Sequence, residues 1–290
     1  MKQLFTHTLA LLLALVLLAS HADAQQFSKR KQYNSIGVTV NAMNYFGDVV
    51  PKTSLPSFRA GATRPSLAVN FTHRFAPRIS ARAALSYGRI SGSDTKAADP
   101  NDPDARFRYN RNMTFRNDIL ELSGVAIFDL IENRNNYLKR PDFVPYLLAG
   151  VAVFHHNPKG LYNDGTYVNL QPLRTEGVNY SLTQFAIPFG GGVRYKVNKS
   201  FDVGLEIVTR KTFTDYLDDV SSNFIPNDQL VTPAAQYFGR GITRSQTGDF
   251  ASFTEPGQMR GKSNENDWYT TLGITINYIL APRVKSPKFR

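Results

Sequence analysis

The sequence contains no cysteine. This absence excludes a disulfide-stapled scaffold, a thiolate metal site, a cysteine nucleophile and a lipid anchor attached through cysteine. Histidine is also scarce, with five residues in a chain of 290. Two of them, His155 and His156, are adjacent, and neighbouring residues of a strand point to opposite faces, so this pair cannot chelate one metal ion. No side chain is available for thiol chemistry, and few histidines are available for metal binding.

Common catalytic motifs are missing as well. The sequence has no H-E-x-x-H motif, no G-x-S-x-G motif and no calcium loop of spaced aspartates and glycines. Its best acidic cluster, Asp215, Asp218 and Asp219, indicates either a divalent-ion site or a turn whose side chains bond backbone N–H groups. We predict that the protein is not an enzyme and carries no cofactor. The alternative is a lipid-modifying barrel enzyme with a serine or histidine near its rim.

Only one long apolar run is present, at the start of the chain. Lys2 precedes it, it extends to about Leu18, and a small-x-small pattern follows at 22–24. We predict a secretory signal peptide over 1–24, cleaved before Gln25 and excluded from the folded domain. A transmembrane anchor is the alternative, because the run is close to spanning length. No later segment is long and apolar enough for a membrane helix.

The rest of the chain alternates with a period of two, which is typical of β-strands. Before a short turn, Phe185, Ile187 and Phe189 occupy alternate positions, and after the turn Phe201 and Leu205 continue the same alternation. Most of the alternating segments are close to the ~9–11 residues that a tilted strand needs to cross a bilayer. The predicted strands are 35–43, 66–75, 79–90, 114–129, 144–156, 180–197, 200–210 and 267–280.

Short and long connections alternate between these strands. The long ones are 47–65, 91–113, 157–179 and 211–266. Outer-membrane barrels have short periplasmic turns and longer extracellular loops, whereas a Greek-key sandwich has no reason to alternate in this way. We therefore predict an all-β fold over 25–280: an eight-stranded antiparallel transmembrane β-barrel of the outer membrane. Both termini then lie in the periplasm, with a basic tail at 281–290.

The face opposite the apolar residues combines glycines with charges. A lumen enclosed by eight strands is only wide enough for side chains, so charges that point into it must pair with each other. We predict an ion network in the lumen and no aqueous pore. Pro188 interrupts one of the strands, which predicts a β-bulge beside it. The inward-facing members of the network are Arg82, Glu121, Arg194, Asp202, Glu206 and Arg210.

The net charge of +11 is concentrated at one end of the predicted barrel. The short turns and the two terminal segments carry the excess of cations. Three interpretations remain: solubility with attraction to anionic lipid headgroups, docking of an acidic periplasmic protein, and nucleic-acid binding. The last lacks a recognition motif, and we predict no nucleic-acid partner. The predicted docking residues are Lys29, Arg30, Lys31, Arg283, Lys285, Lys288 and Arg290.

Five segments resemble the PorG-like outer-membrane barrels associated with the type IX secretion system. They are NYFGDVVPK (44–52), FRNDILEL (115–122), PYLLAGVAVFHHNPKG (145–160), TEGVNYSLTQFAIPFGGGVRYKV (175–197) and LEIVTRKTFTDYLDDVSS (205–222). The resemblance spans most of the chain after the signal peptide. It implies a small non-enzymatic barrel, in contact with outer-membrane lipid, that anchors a periplasmic part of the secretion or gliding machinery. The alternative is an independent surface barrel of the OmpA or OmpX kind, whose loops meet outside ligands.

Overall fold

Nine antiparallel strands form one sheet in the computed structural model, which describes residues 31–49, 61–98, 101, 106–240 and 254–281. The predicted signal peptide and residues 282–290 of the predicted tail lie outside the described residues. The strands are β1 (Tyr33–Phe46), β2 (Arg64–Arg74), β3 (Ile79–Ser93), β4 (Thr114–Asp129), β5 (Phe143–Leu161), β6 (Tyr167–Asn169), β7 (Thr183–Lys196), β8 (Phe201–Thr212) and β9 (Trp268–Leu280).

The sheet closes into an eight-stranded barrel. Its order is β4-β3-β2-β1-β9-β8-β7-β5, and β4 also pairs with β5, which completes the wall. Strand β6 is an addition that pairs only with the end of β5, at Leu161 and the two residues before it. Closure leaves no strand edge exposed along the wall, and an open edge is the main aggregation hazard of a sheet. The predicted fold class is confirmed.

The two ends of the barrel differ in their connections. Segments 75–78, 130–142 and 197–200 connect strands at one end, which we call the turn end. Segments 47–63, 94–113, 162–182 and 213–267 connect strands at the other, the loop end. The helices α1 (Asp94–Ala97), α2 (Arg106–Arg111) and α3 (Pro233–Arg240) lie in these longer segments. Across the described ranges, no helix has the length and apolarity needed to cross a membrane.

Large apolar side chains cover the outside of the wall. Val151 and Phe185 are 68% and 67% exposed, and along β1 the exposed Val38 and Val40 flank Thr39, which is buried. A soluble barrel has the reverse arrangement, whereas an outward apolar band is the pattern of barrels that meet lipid. Contiguous exposed apolar surface of this extent is rare on soluble monomers. The barrel is therefore of the transmembrane type.

The interior contains an apolar cluster at the loop end of the barrel. Side chains from the strands, including Ile90, Phe115 and Phe154, pack there against Leu217 and Val220 of the last loop. Burying such a loop residue contributes roughly 1.5–3 kcal/mol per side chain. The last loop is therefore held against the barrel mouth by its own hydrophobic contacts.

The predicted β-bulge beside Pro188 is wrong. On β5 and β7, Ala149 pairs with Phe189 and Ala152 pairs with Ala186, so both strands advance by three residues. Pairing lapses between those points without any change of register. Proline lacks the N–H that would donate to the ladder, but the lost bond is absorbed as a local gap in pairing rather than as an extra residue.

Candidate functional site

One ion pair spans the middle of the lumen between β3 and β8. Arg82 Nη1 lies 2.7 Å from Glu206 Oε2, and the Tyr146 hydroxyl donates to the same carboxylate oxygen at 2.8 Å. The tyrosine has room because Gly192 faces it: a Cβ at that position would lie 2.8 Å from the Tyr146 hydroxyl oxygen. The predicted lumen residues Arg82 and Glu206 thus meet each other directly.

A second pair lies towards the loop end. Arg210 Nε is 3.2 Å from Glu121 Oε2, and the Tyr269 hydroxyl donates to that oxygen at 2.5 Å. Arg210 also donates to the Thr271 hydroxyl. Inside a barrel, a charge left without partners costs several kcal/mol. Paired carboxylates that also accept tyrosine hydroxyls therefore suit a filled lumen.

The other two predicted lumen residues pair with partners that the sequence reasoning did not include. Arg194 Nη2 lies 2.7 Å from Asp129 Oδ2, and Arg74 Nη1 lies 2.8 Å from the same oxygen. Arg74 has the inward parity of β2, so the alternation pattern could have identified it. Asp129 has the inward parity of β4, so the same pattern could have identified it as well.

Asp202 pairs with Arg140, which belongs to the turn between β4 and β5. Arg140 Nη2 is 2.7 Å from Asp202 Oδ1, and the guanidinium also donates to the carbonyls of Tyr137, Asn198 and Lys199. It therefore ties two neighbouring turns together. Strand parity gives no direction for a side chain in a turn, so the sequence alone could not distinguish this buried arginine from an exposed one.

Little space remains between these pairs. A cavity of about 40 Å³ lies beside Arg82 and Glu121, and another of about 10 Å³ lies beside Arg74 at the turn end. These volumes suit one or a few water molecules rather than an aqueous channel. Within the described part of the chain, the lumen is a packed interior.

Charged residues from four loops meet over the barrel mouth. We call this group the loop plug, and its members are Asp48, Asp94, Arg111, Glu176, Asp218, Asp219, Arg260 and Asp267. Arg260 is fully buried, and its Nη1 donates at 2.6 Å to Glu176 Oε1 and at 2.6 Å to the Asp219 carbonyl. Arg111 forms two bonds of 2.8 Å with Asp94 and donates to the Arg260 carbonyl. The plug therefore links segments far apart in sequence.

Two carboxylates of the loop plug share one phenol. The Tyr45 hydroxyl oxygen lies 2.6 Å from Asp218 Oδ2 and 2.8 Å from Asp267 Oδ1. A phenol has a single proton to donate, so two such contacts require one of the acids to be protonated. Burial, followed by the charge of Asp218, raises the pKa of Asp267 well above its ordinary value.

The acidic cluster predicted from the sequence separates within the plug. Asp218 faces Tyr45, whereas Asp219 accepts the hydroxyls of Thr175 at 2.5 Å and Tyr180 at 2.7 Å. Burial raises the pKa of Asp215 to about 8. Among the described residues, no group of histidine, cysteine or acidic side chains has the arrangement of a metal site. Asp218 Oδ1 instead accepts the backbone N–H of Val220 at 3.0 Å, as in a turn.

The turn end carries more cations than acids. Among its described residues, Glu132 and Asp142 are the acids, and both are paired, with Arg134 at 2.9 Å and Lys196 at 2.9 Å respectively. Of the predicted docking residues, only Lys31 is described; Lys29, Arg30, Arg283, Lys285, Lys288 and Arg290 lie outside that part. The described cations of the three turn segments are Arg78, Arg134, Lys139, Arg140 and Lys199; Lys31 precedes β1, and Lys196 ends β7 opposite Asp202.

Comparison with known proteins identifies a family. A family model described as "Domain of unknown function (DUF6089)" matches residues 8–232. No protein of curated function matches the chain.

Several solved structures resemble the chain, all at low identity. One is Ail, the attachment invasion locus protein of Yersinia pestis, with 8% identity, a TM-score of 0.40, and coverage of 86% of this chain and 99% of Ail. Neisserial surface protein A has 11% identity, a TM-score of 0.39, and coverage of 84% and 96%. OprG from Pseudomonas aeruginosa has 10% identity, a TM-score of 0.38, and coverage of 89% and 99%. At this level the similarity concerns the fold alone.

Proposed function

The chain belongs to the family described as Domain of unknown function (DUF6089), and we propose that it is a non-conducting outer-membrane β-barrel that anchors a periplasmic protein. The observation that carries this proposal is the packed lumen behind an apolar outer wall. A barrel with a packed lumen has no path for solutes, and it is suited to attaching a protein to the membrane. Membrane residence follows from the exposed side chains of the wall, such as Val151 and Phe185.

The excess of cations at the turn end favours that end as the docking surface. Lys139 and Lys199 are exposed there, while the acids Glu132 and Asp142 are engaged by neighbouring cations. Such a surface attracts an acidic partner and raises its association rate. In the proposed topology this end faces the periplasm, together with the basic segments on either side of the barrel. The partner is an acidic periplasmic protein of the type IX secretion or gliding machinery.

The test is charge reversal at the turn end. Lys139→Glu with Lys199→Glu, and separately reversal of Arg283, Lys285, Lys288 and Arg290 to glutamate, should leave the barrel inserted in the membrane. Both variants should lose crosslinks to periplasmic protein, measured by crosslinking and mass spectrometry in intact envelopes. The matched control is Lys211→Glu with Lys262→Glu, two exposed cations of the loop end. Unchanged crosslinks in both turn-end variants would refute the anchoring role.

A second function is favoured by the loop plug. Arg111 and Arg260 bind four loops together, including the first loop through the Asp48 carbonyl, which makes the loop end one ordered surface rather than four independent loops. That surface exposes Val231, which is 88% exposed, and Met259. An independent surface barrel would use it to bind an outside ligand. Replacing both residues by serine should then reduce cell adhesion without changing secretion; the anchoring proposal expects neither to change.

A further inference from the structure

A pocket of about 500 Å³ lies on the outside of the barrel wall at the loop end. Its floor is formed by outward-facing residues of β3 and β4, including Arg89, Ser91 and Arg116. Tyr167 of β6 forms one side. The volume is within the ~300–1,000 Å³ typical of small-molecule sites. We call it the outer-wall pocket.

Among the described residues, the charged side chains that line the outer-wall pocket are all positive. Arg64, Arg89, Lys96 and Arg116 line it, and no acid is among its described lining residues. The carboxylate of Asp118 lies 2.5 Å from Arg89 Nε and 3.8 Å from Lys159 Nζ, so its charge is already shared by two cations. A concave surface lined by several cations concentrates anions.

Arg116 is prepared to receive an anion. Its guanidinium carbon lies 3.4 Å from the centre of the Tyr167 ring, so the aromatic face fixes the orientation of the side chain. Its Nε is buried without a hydrogen-bond partner among the described residues. A guanidinium presents its donors in a planar fork that matches phosphate oxygens. The hydroxyl groups of Ser91 and Thr114 line the same pocket and provide donors beside it.

The height of the pocket on the wall indicates what occupies it. Arg89 pairs with Asp118, and two residues further along the same strands Tyr87 pairs with Leu120. Tyr87 and Leu120 are exposed members of the apolar wall. Two residues of a strand span about 7 Å, so the cations lie directly beyond the apolar band. At this level a membrane lipid carries its headgroup.

We propose that the outer-wall pocket binds the phosphorylated sugar headgroup of a membrane lipid. The cations of the pocket contact the phosphate, the hydroxyl groups contact the sugar, and the acyl chains continue along the apolar wall below Tyr87. A single phosphate ion would fill only a small part of the volume. This site requires the barrel to lie in a membrane but is independent of any partner at the turn end.

The test uses the full chain refolded in detergent, with native mass spectrometry to count retained lipid. The probes are lipid A with both phosphates, lipid A with both phosphates removed, and inorganic phosphate. Wild type should retain the phosphorylated lipid and lose the dephosphorylated one. Arg116→Gln with Lys96→Gln should weaken retention by about tenfold or more, because two charge-assisted contacts are lost. Lys96 is exposed and Arg116 is half-buried, and glutamine keeps a polar, uncharged side chain at both positions.

The matched control is Lys211→Gln with Lys262→Gln, which removes the same charge from the loop end outside the pocket. Its retention should stay close to that of wild type. The proposal is overturned if the control loses lipid as strongly as the pocket variant, or if both lipids bind equally. Saturation of the pocket by inorganic phosphate, with no preference for the lipid, would show a free-phosphate site instead and would also overturn it.

Discussion

One tyrosine hydroxyl is shared by two buried carboxylates of the loop plug. Tyr45 stands between Asp218 and Asp267 and reaches both within hydrogen-bond distance. Backbone N–H groups complete their shells: Val49 and Val220 donate to Asp218, and Leu217 donates to Asp267. The phenol is the group that joins the first strand to the last loop.

Tyr45→Phe should therefore weaken the loop plug while leaving the barrel wall intact. Removing one partner from a buried acid costs about 1–3 kcal/mol, and the two carboxyl groups would then face each other without the bridging hydroxyl. Limited proteolysis in detergent should show faster cleavage of the loops, with unchanged far-UV circular dichroism. Tyr162→Phe, which removes a phenol from the loop after β5, is the control. Equal proteolysis rates for Tyr45→Phe and wild type would contradict the bridging role.

For single residues, the sequence predicts which side of the barrel wall a side chain faces, but not which residue it pairs with. Parity places Arg82 and Glu206 on the lumen side, because alternation in a strand fixes the face of every second residue. The pairing of Asp202 with Arg140 is beyond it, since Arg140 approaches from a turn whose backbone has no fixed period. The contacts of the loop plug could not be predicted either, because its residues lie in loops without a period and far apart in sequence. Arg260 and Glu176, for example, are 84 residues apart.

At the scale of elements, strands and loops differ in how far the sequence describes them. Strand β4 (Thr114–Asp129) has the predicted bounds, because alternation persists over its whole length. Strand β5 (Phe143–Leu161) continues beyond the predicted 144–156. The prediction ends early because Asn157 and Pro158 are poor strand formers, but pairing with β4 keeps both residues in the strand. The hairpin between β5 and β6 rests on that extension.

The last loop should respond to pH. Burial raises the pKa of Asp215 from its ordinary value of 3.8 to about 8, and burial likewise raises the pKa of Asp218. At a pH between 3.8 and about 8, Asp215 is protonated in the folded loop but ionised in the unfolded loop. The stabilising contribution is therefore fully present below about pH 4 and is lost as pH rises towards 8. The loop plug should be tighter at pH 5.5 than at pH 9.

A spin label can report this change, because a chain without cysteine accepts one at a single engineered position. Asn223→Cys places the label on the exposed surface of the last loop, and Lys199→Cys places a control label at the turn end. Mobility at Asn223→Cys should increase with pH, with the turn-end label unchanged. Asp215→Asn should reduce the change. A flat profile from pH 5.5 to 9 at both labels would refute the assignment.

At the scale of the whole molecule, the barrel is closed twice. Ion pairs such as Arg82 with Glu206 fill its middle, and the loop plug covers its mouth. The two closures share no residue: the central pairs come from strands, and the plug residue Arg260 comes from the last loop. Each should therefore be sufficient to block ions.

Planar-bilayer recordings test this arrangement. Wild type should show no stepwise conductance. Arg82→Ala with Glu206→Ala should also stay silent, because the loop plug still covers the mouth. Adding Arg260→Met together with Arg210→Ala and Glu121→Ala should produce steps. The second lumen pair is then removed as well, and removing one partner of a buried ion pair costs about 3–5 kcal/mol and releases the loops. Conductance of the wild-type barrel comparable to that of a porin would contradict the packed lumen, and with it the anchoring proposal.

The pairing of the first and last strands sets the order in which this molecule can be assembled. Asn34 lies opposite Leu280, so β1 has only one of its two neighbours until the final strand has been synthesised and delivered. Contacts between such distant parts of a chain form slowly, because a long loop must close before they contribute. During that interval the apolar outer face of each strand is not yet covered by lipid. The unfolded chain must therefore be bound by a chaperone until its last strand is available. Biogenesis is then the stage at which the protein is most prone to aggregation.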